Sequence, residues 1–117
     1  MTTFRRGDVV LVRFPHADLT GWTRRPALVV QSDKLHTELG HIVLAQITTT
    51  KRSGKTRVLV QAATPEGQQM GLLRDSVIVV DMLQATRSVL LERRLGSCQI
   101  MDRVDVALRV VLGLSES

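Results

Sequence analysis

Pro26 opens a short apolar run, Ala27-Leu28-Val29-Val30, directly behind two adjacent arginines, Arg24 and Arg25. The run is partly β-branched and too short for a helix, so it reads as an interior strand. Proline fixes its own backbone, has no N–H for a central ladder and drives the residue before it towards an extended conformation. A strand's first residue is one of the few sheet positions that tolerate it, so this strand is expected over residues 26–31. Arg25 is then projected from a stiff base beside a loop, a good place to hold a phosphate.

The flanking segments fall into the same class. Residues 8–14 (Asp-Val-Val-Leu-Val-Arg-Phe) read as a first strand between Gly7 and Pro15. Residues 16–24 are polar with one glycine and read as a loop, whose Trp22 is better suited to packing on the body than to stacking on a base. A connector over residues 32–40 leads to a third strand over 41–47. Residues 48–57 then carry four basic side chains, no acid and a Ser-Gly turn, and Val58-Leu59-Val60 returns as a fourth strand. The result is a hairpin with a basic, hydroxyl-rich tip. Thr64-Pro65-Glu66-Gly67 signals a turn, and residues 75–80 a fifth strand that runs on with a bend through 81–85. Residues 90–95 read as a short helical turn. Ile100, Met101, Val104, Ala107, Leu108, Val111 and Leu112 recur at three- and four-residue spacing, the signature of an amphipathic helix. Ser97 is its expected N-cap and Gly113 its stop. The whole is one domain over residues 1–117, mainly β with one terminal helix: a small barrel closed on one side by that helix.

Charge narrows the function. Sixteen basic residues oppose eleven acidic ones for a net charge of +5, and thirteen of the sixteen are arginine, which pairs bidentately with phosphate. That bias suits a polyanion, although a charge of this size also serves solubility. The single Cys98 excludes an intramolecular disulfide, fits a reducing cytoplasm and suits helix packing. No apolar run approaches the roughly 20 residues needed to cross a bilayer, so no membrane partner is expected, and the N-terminus lacks the apolar core of a secretory signal. His16, His36 and His41 form no H-E-x-x-H, and no clustered carboxylates accompany them, so no metal is expected. G-x-x-x-x-G-K-[ST], G-x-S-x-G and the cofactor-binding motifs are missing too, so no cofactor is expected. What remains is an arginine beside a strand and a threonine cluster beside lysine and arginine. Such groups could bind and polarise a phosphodiester. RNA supplies its own nucleophile, the 2′-OH, so a protein need only orient it and stabilise the crowded phosphorane. The residues alone leave a second reading open, in which Arg25 forms a structural salt bridge and Thr48 only favours its strand.

Five segments in this order carry a resemblance: Arg6-Gly7-Asp8-Val9, Arg25-Pro26-Ala27-Leu28-Val29-Val30, Ile47-Thr48, Asp75-Ser76-Val77-Ile78, and the tail from Met101-Asp102-Arg103-Val104 through Leu112-Gly113-Leu114. From about Phe4 to Leu114 the chain resembles the MazF/PemK family of toxin endoribonucleases from type II toxin–antitoxin systems. The resemblance implies a small SH3-like barrel that acts as a homodimer. It implies sequence-specific, metal-independent cutting of single-stranded RNA, leaving a 2′,3′-cyclic phosphate and a 5′-hydroxyl. It also implies an antitoxin whose acidic, disordered tail displaces RNA, in a complex that binds DNA. By the same resemblance Arg25 would stabilise charge and could act as acid or base, while Thr48 would bind the scissile phosphate. The expected RNA-binding set beside them is Arg24, Thr49, Lys51, Arg52 and Lys55. The chain departs from the family after the fifth strand. Where many relatives read Asp/Glu-Gln-Ile-Arg-Thr, it has Asp81-Met82-Leu83-Gln84-Ala85, a change that bears on RNA sequence preference more than on cleavage. Two alternatives remain: a non-catalytic toxin of this fold that binds a protein such as DNA gyrase, and an inactive relative that binds RNA or an antitoxin.

Overall fold

The structure is a computed structural model that describes residues 3–35 and 40–115. Six strands form one antiparallel sheet: β1 (Asp8–Pro15), β2 (Trp22–Val29), β3 (His41–Thr48), β4 (Arg57–Val60), β5 (Ser76–Arg87) and β6 (Leu91–Ser97). Their order across the sheet is β4-β5-β3-β2-β1-β6. Two helices complete the chain, α1 (Pro65–Gln69) and α2 (Met101–Leu112). Of the connector expected over residues 32–40, residues 36–39, His36 included, lie outside the described residues.

Side-chain alternation sorts the strands onto two faces. One face gathers Val9, Leu28, Ala45, Ile47, Val58, Val60, Ile78 and Val80, against which α2 packs Val104 and Ala107. The other gathers Val10, Val12, Ala27, Val29, Leu44 and Leu91, with Phe4, Phe14, Ile42 and Leu90 at its margin. A strand buried on both faces cannot alternate apolar with polar, which is why residues 27–30 form an unbroken apolar run. The Arg6-Gly7-Asp8 segment serves this framework. Arg6 pairs with Asp105 of α2 and donates to the Val30 carbonyl at 3.0 Å, while Asp8 accepts from the Arg5 N–H at 2.8 Å and from Arg94 at 3.0 Å.

Four expectations are corrected. β2 begins at Trp22, so residues 22–24 are strand and Pro26 lies inside it. The reason is its pairing with β1, from Val9↔Leu28 out to Pro15↔Trp22, while β2 meets β3 only at Ala27, Leu28 and Val29. Residues 91–97 are a strand, and only Ser88–Leu90 form a helical turn, because the outer backbone edge of β1 takes β6 as its partner. Ser97 therefore ends a strand opposite Asp8 and does not cap α2; the cap position is Ile100, without a side-chain bond. Thr64 is more than a turn residue: its hydroxyl accepts the Gly67 N–H at 3.2 Å, and Pro65 begins a short helix, as a proline at the first helical position favours. Gly113 ends α2 in the left-handed conformation, φ 68°, as expected.

Among the described residues no ladder joins β4 to β6, so the barrel is not closed by hydrogen bonds. The chain after α1 bridges the gap. Gly71 and Gly96 let backbone lie on backbone there, since a Cβ on Gly96 would fall 2.2 Å from the Gln69 carbonyl oxygen, and one on Gly71 would fall 2.3 Å from that of Leu95. Among the described residues no helix is long and apolar enough to cross a membrane.

Candidate functional site

The site is built by the end of one ladder. In β2, the Val30 N–H donates to the Val43 carbonyl at 3.2 Å, so by alternation the backbone groups of residues 30, 28 and 26 face β3. Pro26 has no N–H to offer on that side, and β2 and β3 stop pairing at Ala27↔Gln46. Extending that register by two residues sets Arg25 opposite Thr48, on the sheet face away from α2, at the point where the strands part. On the far side β5 pairs with β3 along its whole length, from His41↔Arg87 to Thr48↔Val77, but with one break in register. Ala45 faces Leu83 while Gln46 faces Val79, so residues 80–82 form a bulge in β5, which is the bend expected beyond residue 80.

Beside the end of the β2–β3 ladder and this bulge lies a cleft of about 330 Å³ lined by Arg25, His16, Thr23, Gln46, Met82 and Gln84, with Phe14 and Leu44 among its apolar walls. Arg25 is exposed in it and, among the described residues, makes no hydrogen bond or ion pair. The structural salt bridge that was the alternative reading for Arg25 is not formed by these residues. Thr48 stands beyond the residues that line the cleft. Its Oγ1 accepts the Thr50 N–H at 3.2 Å, turning the chain out of β3 and leaving the hydroxyl proton to be donated elsewhere. His16 closes the β1–β2 hairpin through its N–H to the Gly21 carbonyl, 2.8 Å, and its Nε2 lies 2.6 Å from Thr23 Oγ1.

The other expected residues are dispersed. Arg24 alternates to the opposite face, where its Nε donates to both oxygens of Glu92 at 3.0 and 3.1 Å. Arg13 approaches the same carboxylate at 3.4 Å and lies over the Trp22 ring, 4.8 Å from its centroid. Trp22 is thus covered by a guanidinium on a strand, with 49% of its surface still exposed. Thr49, Lys51 and Arg52 line a separate groove of about 720 Å³ that runs past Leu59 and Val60 of β4 to Ile100 and Arg103. Lys55 is exposed in the same loop and lines neither space. Arg57 fixes that loop, donating from Nη1 to the Ser53 carbonyl at 3.0 Å and pairing with Asp81 at 3.1 Å. Desolvation pushes the Asp81 carboxyl up, but hydrogen bonds from Arg57 and Thr56 outweigh it and hold the group below its ordinary value. Asp81 thereby serves the loop, and its neighbour Met82 serves the cleft. Among the described residues no group of three or more His, Cys, Asp or Glu side chains could hold a metal ion.

Reading the sequence alone missed His16, Thr23, Gln46 and Met82 as lining residues. A signal for two of them was present: once β2 is taken back to Trp22, alternation puts Thr23 and Arg25 on one face. Gln46, two residues before Thr48, shares that face by the same rule.

Comparison with known proteins agrees with the fold. Residues 5–112 match the family described as PemK-like, MazF-like toxin of type II toxin–antitoxin system. A mycobacterial endoribonuclease solved with its cognate antitoxin superposes with a TM-score of 0.74 at 23% identity, covering 98% of this chain and 100% of its own. A Mycobacterium tuberculosis MazF toxin gives 0.72 at 24% identity, covering 92% and 98%. A MazE–MazF complex from Deinococcus radiodurans gives 0.73 at 20% identity, covering 98% and 100%. A comparison with curated proteins returns no match.

Proposed function

Since the chain belongs to the PemK-like, MazF-like toxin family, we propose that it is a sequence-specific endoribonuclease acting on single-stranded RNA in the cytoplasm. The observation that carries the reading is the Arg25 guanidinium, exposed in the cleft and without a hydrogen-bond or ion-pair partner among the described residues, just past the point where the β2–β3 ladder ends. In this reaction the 2′-oxygen of RNA attacks the adjacent phosphorus and the P–O5′ bond breaks, giving a 2′,3′-cyclic phosphate and a 5′-hydroxyl. Charge builds on the non-bridging oxygens as the phosphorane forms. Arg25 meets that charge with a fixed fork of N–H donors, and Thr48 adds a hydroxyl donor. Neither role needs a metal ion.

Partners follow from the same reading. A two-fold homodimer would bring two copies of the cleft and of the basic loop into one assembly. Thr49, Lys51, Arg52 and Lys55 offer a polyanion the same donors whether it is RNA or the acidic, disordered tail of a cognate antitoxin, so antitoxin and substrate would compete. Arg24 would contribute to RNA only after release from Glu92.

The test is incubation of the purified protein with mixed-sequence RNA in EDTA, mapping cut sites and end chemistry. Recurrent cuts ending in cyclic phosphate and 5′-hydroxyl are expected. Intact RNA together with inhibited DNA supercoiling would replace this reading with that of a protein-binding toxin, and tight RNA binding without product would replace it with that of an inactive relative.

A further inference from the structure

The Arg25 cleft carries more chemistry than a phosphate can use. Gln46 reaches it from β3, and Gln84 reaches it from β5, where Leu44↔Gln84 pairing puts both amides on the face shared by Leu44. Among the described residues neither amide makes a hydrogen bond, so both edges are open to a ligand in the cleft. Each presents a donor beside an acceptor, and a phosphate, which only accepts, would leave the carbonyl ends idle. Across the space lie two rings, Phe14 and His16, the second oriented by Thr23 at 2.6 Å. Met82 adds an apolar surface. Rings for stacking, apolar walls and paired donor–acceptor edges are the means by which single-stranded RNA bases are recognised. The volume of about 330 Å³ lies at the small end of ligand sites, which run from roughly 300 to 1,000 Å³.

We propose that this cleft is a nucleobase pocket in which Gln46 and Gln84 read the edge of the base flanking the scissile phosphate. Arg25, in the same cleft, sets the distance between that base and the reacting bond. The inference rests on the ribonuclease reading and deepens it by assigning specificity to two amides.

The test is cut-site mapping on a randomised RNA pool with the full-length protein and its Gln46→Leu and Gln84→Leu variants. Wild-type protein should fix one base beside the cut. Each leucine variant should lose preference at that position alone by roughly tenfold to hundredfold, as expected when a donor–acceptor pair is removed. Gln84 is exposed, so its leucine variant should fold even if a change at the partly buried Gln46 disturbs β3. Gln84→Glu, which offers acceptors only, should move the preference towards a base with an exocyclic amino group. Cutting with unchanged preference in both leucine variants would overturn the pocket and leave the ribonuclease standing. Loss of cutting at every sequence alike would overturn it too, since the amides would then belong to phosphate chemistry. If wild-type protein cuts no RNA, the ribonuclease reading fails and the pocket is judged by binding of short oligonucleotides that differ at one base. A preference lost in Gln84→Leu would support the pocket, and equal affinities would overturn it.

Discussion

Arg25→Ala should separate catalysis from folding. Arg25 is exposed and bonds to none of the described residues, so its loss should change stability by no more than about 0.5 kcal/mol. With about 2.1 cal/mol/K of unfolding entropy per residue, a chain of 117 residues has about 0.25 kcal/mol/K, so Tm should move by less than about 2 °C. The chemical step should suffer far more. Removing one preorganised donor aimed at developing charge costs roughly 100- to 1,000-fold, about 2.7–4 kcal/mol in the barrier. Arg25→Lys keeps the charge but loses the planar fork, and should fall between the two by about tenfold or more below wild type. Thr48→Val should lose roughly tenfold to hundredfold, the worth of a hydrogen bond to a charged group, together with the turn that holds Thr50. The assay is single-turnover cleavage of an end-labelled oligonucleotide in EDTA, with thermal unfolding of each variant alongside. An alanine variant that cuts within about threefold of wild type would refute the catalytic assignment, since no barrier contribution above about 0.7 kcal/mol would remain. A Tm loss beyond about 5 °C would refute the premise that Arg25 is structurally idle.

Three further outcomes test the surroundings of the site. Because hydrogen bonds from Arg57 and Thr56 outweigh desolvation and hold Asp81 below its ordinary value of 3.8, the stability it adds is complete above that pH and is lost as pH falls through its folded value. Asp81→Asn should therefore be less stable than wild type at neutral pH in urea titrations, with the gap closing below about pH 3.8; a gap constant with pH would be contrary evidence. Gly96→Ala must push the Gln69 carbonyl, 2.2 Å from the new Cβ, and should lose roughly 1–3 kcal/mol, or about 4–12 °C, in a thermal melt; an unshifted Tm would contradict the backbone contact that bridges the sheet edges. Replacing Lys51, Arg52 and Lys55 together by alanine should lower the slope of log affinity against log salt for single-stranded RNA by about 2, at roughly 0.7 per phosphate contact. An unchanged slope in fluorescence anisotropy would remove the loop from the RNA path.

What the sequence disclosed follows the distribution of apolar burial. The strands around Val9, Leu28, Ile47 and Ile78 and the helix around Val104 announce themselves because their side chains fill a core, and a core leaves a pattern. The outer half of β2 leaves none. Thr23, Arg24 and Arg25 pair with β1 beyond that core, and backbone pairing imposes no residue type. β6 is hidden for the same reason: Glu92, Arg93 and Arg94 are exposed, and the strand exists because β1 offers a bare edge.

The site lies where legibility is poorest, and the reason is physical. Arginine at position 25 and threonine at position 48 can be named from residue type and family resemblance, but no spacing in the chain says that they belong to neighbouring strands on one face of the sheet. That depends on register, which is set by the buried pairs Leu28↔Ala45 and Val29↔Leu44 and transmitted two residues outwards. Pro26 then decides that the strands do not close over the pair. With an N–H at position 26 facing β3, the ladder could run on and draw Arg25 and Thr48 into an ordinary cross-strand contact. Without it the strands separate after Ala27, and the bulge in β5 widens the opening from the other side. One missing donor thus turns a continuous sheet into a sheet with a cleft, and the core that fixes the register holds the groups on either side of it in place.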